Sequence, residues 1–184
     1  MDEIVVSTVV YLPPEDIYEF LVEFPRYAKY SKHLEGVTRD GDGSPGTVYG
    51  LRFAWWKLTY TARSEVTDLE PPTRIDWRLV KDVDSRGRWL IEPLPELPAD
   101  APEDAERACR VYFMAAFDPD SVDDRAIDLP TFVSLEWVVE KVKPIVQREA
   151  ERVVERFVRD IEGRSRRVEL TIHDDPDVSL LDPD

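Results

Sequence analysis

The sequence predicts an α+β chain. A curled antiparallel sheet of about six or seven strands surrounds one long C-terminal helix, and two short helices follow the first strand. Three observations carry this. Strand-like runs succeed one another from Gly36 to Phe117 with short connections, which argues against parallel βαβ units. Several runs alternate apolar and polar residues, giving each strand one dry face and one wet face. One amphipathic segment near the C-terminus is the only element long enough to cover an apolar sheet face.

The elements follow in order. Ile4 to Tyr11 (IVVSTVVY) is β-branched and aromatic, a strand signal ended by Pro13-Pro14. Pro14 suits the first turn of a helix, and Glu15 and Asp16 suit its positive end. Ile17, Phe20 and Leu21 then share one helical face. Pro25 interrupts, and Phe24 to Leu34 reads as a second short helical piece. Gly36 to Arg39 is a strand, and Gly41-Asp42-Gly43-Ser44-Pro45-Gly46 is a turn. Thr47 to Trp55 and Trp56 to Asp68 are long strands. In the second, Leu58, Tyr60, Ala62, Ser64 and Val66 form the dry face. Pro71-Pro72 turns the chain into Arg74 to Val80, with Ile75, Trp77 and Leu79 on one side. Gly87 to Leu94 is the next strand. Residues 93–106 (PLPELPADAPEDAE) are Pro-rich and acidic and read as a mobile loop. Arg107 to Phe117 closes the run, with Cys109, Val111, Phe113, Ala115 and Phe117 on one face.

Leu135, Val138, Val142, Val146, Ala150, Val153, Phe157 and Ile161 recur at spacings of three or four. A helix from Thr131 to Ile161 would run about 46 Å, with Pro144 expected to kink or divide it and Gly163 to stop it. Arg167 to His173 alternates again and is compatible with one extra strand. Asp174 to Asp184 reads as an acidic disordered tail. The expected division is a ligand-binding domain over 1–162 and an extension over 163–184.

Composition bounds the partners. The chain has 184 residues, 42% hydrophobic, with a formal net charge of −15. Nucleic acid and anionic membrane surfaces are disfavoured, because both need a basic footprint. Of 24 cations, 18 are Arg and 6 Lys; of 39 anions, 21 are Asp. Excess acid, much Asp and little Lys suit a chain that lives in concentrated salt, where self-repulsion is screened. Cys109 is the single cysteine, which excludes an internal disulfide. The acidic N-terminus is unlike a signal peptide, and no apolar run approaches the roughly 20 residues that span a bilayer. A cytoplasmic protein without stable membrane insertion is expected.

A resemblance then emerges. The opening strand with LPPEDIYEFLVEFPRYAKY (Leu12 to Tyr30), the run GTVYGLRF (Gly46 to Phe53) and the terminal amphipathic helix resemble the START-like, helix-grip superfamily. Polyketide cyclase/dehydratases, lipid-transfer domains, plant allergen-type proteins and coenzyme Q-binding proteins belong to it. The resemblance covers roughly Ile4 to Ile161. The loop at 93–106, Pro144 and the chain after Gly163 depart from its plain pattern.

The candidate site follows from the aromatic residues on strand faces turned to the helix. Phe53, Trp55, Tyr60, Trp77, Trp89 and Phe113, with Val142 and Val146 from the helix, are the expected ligand-binding residues. Most such rings are core, and three or four would line a cavity. Tyr60 is the expected polar handle, since a buried hydroxyl needs a partner. Arg52 and Arg78 fall on the opposite, solvated face, where acids would pair with them. His33 could serve as a general base, but an exposed loop histidine is the expectation. His173, beside Asp174 and Asp175, lies outside the expected core. No spacing suits a metal, no G-x-S-x-G elbow surrounds Ser64, and Gly41 to Gly46 is no phosphate loop. No catalytic residue, cofactor or metal is therefore expected, and Cys109 is a small buried hydrophobe.

Three functions are compatible: a carrier of a lipid, isoprenoid or polyketide-like molecule, a cyclase/dehydratase-like enzyme, and a quinone-binding chaperone. The carrier asks least of the residues present. Ligand identity and oligomeric state stay open. The salt reading has a direct consequence: the melting temperature should rise steeply with KCl, and a melting temperature flat from dilute buffer to molar KCl would overturn it.

Overall fold

The computed structural model describes residues 2–55, 57–121 and 135–173, without the side chains of Asp2, Pro119 and 135–148. The elements are β1 (Asp2–Val10), α1 (Pro14–Val22), a 3-10 helix (Phe24–Lys29), β2 (Leu34–Asp40), β3 (Val48–Trp55), β4 (Leu58–Glu70), β5 (Arg74–Leu79), β6 (Ser85–Pro93), β7 (Cys109–Phe117), α2 (Leu135–Glu162) and β8 (Thr171–Ile172), with a short 3-10 turn at Pro119–Ser121.

The strands form one unclosed antiparallel sheet in the order β2-β3-β4-β5-β6-β7-β1-β8. Eight strands are present among the described residues, against about six or seven expected. The difference includes β8, where the alternation after Arg167 places two residues beside Ser7 and Val6. Irregular register in β2 near Gly36 and in β4 near Thr67 bends the sheet.

α1 forms as the sequence requires. Pro14 fits a helical first turn, Glu15 and Asp16 face the positive end, and Ile17, Phe20 and Leu21 are buried. The helix ends at Glu23, ahead of Pro25, whose ring restricts the preceding residue. The core lies between the inner sheet face and the last turns of α2. Val10, Ile75, Ile91, Cys109 and Val111 meet Ile17, Phe20 and Phe24 from the first helical segments, and Phe157 and Val158 from α2. Phe20 packs edge-on against Phe157 with centroids 4.4 Å apart. Ile17, Ile75 and Ile91 are at most 1% exposed, and burying each such side chain is worth about 1.5–3 kcal/mol.

Four expectations need correction. α2 is not divided at Pro144: it runs 28 residues without a break. A proline removes one backbone hydrogen bond, and the flanking bonds carry the helix past it. Its expected start near Thr131, and the acidic tail after His173, lie outside the described residues. The segment at 93–106 is fastened rather than loose. Leu94 N–H donates to the Ala108 carbonyl, Ala101 and Ala105 close internal turns, and Asp104 pairs with Arg164. The sheet also buries part of its outer face, where Val5, Met114 and Ala116 form a second cluster with Leu90 and Tyr112. The cause is the composition of β7, which is apolar at both phases from Val111 to Phe117. Finally, His173 is not remote: its Nε2 and the buried Ser7 Oγ share a 2.9 Å hydrogen bond.

The C-terminal half of α2 is fixed by charge. The Glu162 side chain is fully enclosed and takes two hydrogen bonds from Arg166, at 2.8 and 2.7 Å, and one from the Tyr11 backbone N–H at 2.9 Å. Arg166 also donates to the Val9 carbonyl at 2.7 Å and lies over the Tyr11 ring. Helix end, first strand and returning segment are thus tied at one point. A second tie is Asp160, which accepts from Lys29 at 2.6 Å and from the Tyr30 hydroxyl. Those two bonds hold the Asp160 carboxyl below its ordinary value, so its contribution is present at neutral pH and fades as acid protonates it.

Removing one partner of an enclosed ion pair strands the other. Glu162→Ala is expected to lower unfolding free energy by about 3–5 kcal/mol, measured by chemical denaturation. A loss below about 1 kcal/mol, the range of an exposed pair, would show that the tie is dispensable.

Candidate ligand-binding site

The inner face of the sheet changes character along its strands. At the end nearest α1 it is dry: Val10, Cys109, Ile75 and Ile91 are at most 1% exposed. Toward the other end the same face opens. Ile4 is 48% and Phe53 37% exposed, and Val6, Trp55, Tyr60, Trp77, Leu79 and Phe113 are half-buried.

The strand register explains which rings meet. Phe53 pairs with Tyr60, Val66 with Trp77, Ile75 with Trp89, and Trp89 with Phe113. Since side chains alternate across a strand, all lie on one face. Trp77 stacks on Phe113 with centroids 5.9 Å apart and planes 16° apart, and Trp89 meets Phe113 at 4.8 Å. Such contacts are worth about 0.5–1.5 kcal/mol each beyond the area they bury. The Trp77 ring lies directly over Gly87. A Cβ there would stand 2.1 Å from Trp77 Cζ2 and 2.5 Å from the Met114 carbonyl oxygen, so only glycine lets the indole lie flat on the sheet.

Tyr60 supplies the polar element. Its hydroxyl oxygen is buried and has no hydrogen-bond partner among the described residues. Burial pushes its pKa up, and Asp82 adds to the shift, so the group stays a phenol and a donor at neutral pH. An unpaired buried hydroxyl costs about 1–3 kcal/mol, which a ligand acceptor would recover.

His33 departs from expectation. It is half-buried rather than an exposed loop residue, and its Nε2 is enclosed without a partner among the described residues. It precedes β2, with its carbonyl accepting from Ala54 N–H at 2.8 Å. That places it at the same end of the sheet as Phe53 and Tyr60. Only the position before an apolar strand residue, Leu34, could have hinted at this. The inner-face Ile4 and Leu79 were also missed, although both fall in phase with the alternation already read.

Of the other expected residues, the side chains of Val142 and Val146 lie outside the described residues. Arg52 and Arg78 are on the outer face and pair with Glu35 and Glu65 at 3.0 and 2.7 Å. Ser64 is buried on the inner face. Cys109 is fully buried, its thiol is pushed up to about 11 by burial and then by Glu15, and it donates to the Leu12 carbonyl at 3.4 Å. No group of three or more His, Cys, Asp or Glu among the described residues is placed to hold a metal ion. No described helix is long and apolar enough to cross a membrane. Two cavities bounded by described residues lie elsewhere. One is at the C-terminal end of α2, and the other is beside the β5–β6 turn.

Gly87 offers a way to disturb the rings from outside them. Gly87→Ala should cost about 1–3 kcal/mol as an overpacked site and shift the tryptophan emission. An unchanged spectrum and unchanged stability would show that the Trp77–Gly87 contact sets nothing.

Comparison with known proteins agrees with this architecture. A search of the curated proteins found no match. Among solved structures, the chain is similar to the Zhui aromatase/cyclase from Streptomyces sp. R1128, with a TM-score of 0.59, 17% identity, and coverage of 90% of this chain and 96% of that one. It is similar to TTHA0849 from Thermus thermophilus, with a TM-score of 0.57, 16% identity, and coverage of 88% and 98%. It is also similar to a START superfamily protein from Mycobacterium smegmatis, with a TM-score of 0.56, 16% identity, and coverage of 86% and 98%. At these identities the likeness is one of fold. The chain's sheet curls about a terminal helix, the family described as polyketide cyclase / dehydrase and lipid transport matches residues 1–158, and the chain belongs to that family.

Proposed function

We propose that the protein binds or carries a hydrophobic small molecule in a cavity between the open end of the inner sheet face and the first half of α2. The observation that carries this is the pairing of half-buried rings (Trp77, Phe113, Trp89) with a buried donor at Tyr60 that has no partner among the described residues. Flat apolar surface suits rings or an acyl chain, and one hydroxyl fixes orientation. Phe53 and Trp55 extend the surface toward β3, and Val142 and Val146 are proposed to close it from the helix. The ligand would be a lipid, an isoprenoid or a polyketide-like compound, and the reading requires a cytoplasmic, ligand-filled form.

A second reading is a cyclase/dehydratase-like enzyme. One observation favours it: among the described residues His33 Nε2 and the Tyr60 hydroxyl are both buried and without a partner, which a base and an acid awaiting substrate would be. A quinone chaperone is the third reading, and it shares the apolar surface without needing the pair.

Organic extraction of the purified protein followed by mass spectrometry separates these. A co-purifying apolar compound supports the carrier, and a quinone among the extracts supports the chaperone. Titration with 1-anilinonaphthalene-8-sulfonate tests the surface itself. Trp77→Ala should weaken binding about tenfold or more, a difference of about 1.4 kcal/mol. Equal affinity for wild type and variant, with no extracted ligand, would remove the proposal.

A further inference from the structure

The chain carries 18 arginines, and six of them (Arg152, Arg156, Arg159, Arg164, Arg166 and Arg167) fall within residues 152–167. Nothing in the apolar site uses them. Four line one cavity of about 240 Å³ at the C-terminal end of α2, together with Glu155 and Ser165.

The geometry arises locally. Arg152, Glu155, Arg156 and Arg159 sit at i, i+3, i+4 and i+7, so they share one face of the helix. Gly163, with φ of +72°, reverses the chain. Glycine takes that left-handed conformation without steric cost, and the turn brings Ser165 and Arg166 back beside the helix.

Glu155 lines the cleft among the arginines, while the carboxylates that pair with Arg152, Arg156 and Arg166 are enclosed. The Glu149 side chain is 10% exposed and receives Arg156 Nη1 at 3.3 Å, with Arg152 at 3.9 Å. The Glu162 side chain is 0% exposed and holds Arg166. Arg156 Nη1 also donates to the Tyr30 carbonyl at 2.7 Å. Arg156 is held through Nη1 alone and keeps the rest of its five N–H donors, whereas Arg166 donates through Nε, Nη2 and, to the Arg167 carbonyl at 3.4 Å, Nη1, and so serves mainly as a fixed positive charge. Arg159 makes no ion pair among the described residues. The result is a preformed wall of donors in a chain whose net charge is strongly negative.

We propose that this cleft binds a phosphate-type oxyanion of diphosphate size. Guanidinium forks match the paired oxygens of a phosphate, and the Ser165 hydroxyl adds a neutral donor at the rim. At about 30 Å³ per water, the cavity holds about eight waters, more than one phosphate group displaces. The anion would come either as free diphosphate or as the phosphate end of an organic molecule.

Isothermal titration with inorganic pyrophosphate, orthophosphate and ADP tests this, at the lowest KCl concentration that keeps the chain folded. Sodium sulfate at matched ionic strength is the control. Pyrophosphate should bind at least tenfold more tightly than sulfate. The exposed pair Arg152→Gln/Arg159→Gln should weaken it about tenfold or more, while leaving the unliganded melting temperature and 1-anilinonaphthalene-8-sulfonate binding unchanged. Arg159→Lys, which keeps the charge and loses the fork, should fall between. ADP binding more tightly than pyrophosphate assigns the cleft to an organic phosphate, and equal or weaker binding assigns it to the free anion. Pyrophosphate no tighter than sulfate, or a double variant that binds as wild type does, would overturn the proposal.

Discussion

One helix has to serve a sheet far wider than itself. Eight strands at about 4.8 Å spacing span roughly 34 Å if laid flat, and a helix with its side chains is about 10 Å across. Curling reduces the mismatch but does not abolish it, and the inner face resolves it by dividing. At one end α1, the Phe24–Lys29 helix and the last turns of α2 converge, and the interior is dry. At the other end the rings of Trp77, Phe113 and Phe53 stay half-open. The candidate site and the core belong to one sheet face, covered to different extents.

This division places demands on the helix terminus. α2 is anchored where it ends, at the dry side of the sheet. Glu162 provides the anchor by reaching three places at once: the Tyr11 amide, Arg166 and, through Arg166, the Val9 carbonyl. Asp160 and Arg156 add ties to Lys29 and Tyr30. Glu162 is enclosed and Arg166 half-buried, whereas the Lys29–Asp160 pair is exposed. Ion pairs such as Arg52–Glu35 and Arg78–Glu65 lie on the outer face of the sheet, where exposure leaves them little effect on stability.

Much of this was legible in the chain. Alternation from Leu58 to Val66 gave the inner face of β4 without ambiguity, and the same period put Arg52 and Arg78 outside. The aromatic face was readable because phase survives errors of one or two residues in a strand's ends. Three features were not readable. His33 becomes enclosed through packing of segments distant in sequence, which local pattern does not encode. Residues 93–106 looked loose because proline and acid were read as solvation, whereas Asp104 has a partner sixty residues on. Burial on both sides of β7 was present in the run VYFMAAF, but a single-face assumption concealed it. Tyr60 stood out on physical grounds alone, an alternating position with a hydroxyl that has to be satisfied.

Cys109 has a consequence for handling and for measurement. The thiol sits on the dry side of the divide, fully buried, hydrogen-bonded to Leu12 and protonated well past neutral pH. Alkylating reagents need the thiolate and a path to it, so the native chain should react slowly, and disulfide-linked pairs in a preparation would mark chains that have opened there. As the sole cysteine it is a built-in reporter on the strand pair β1–β7. Its rate of modification times the opening of the dry end, independently of what happens at the aromatic end.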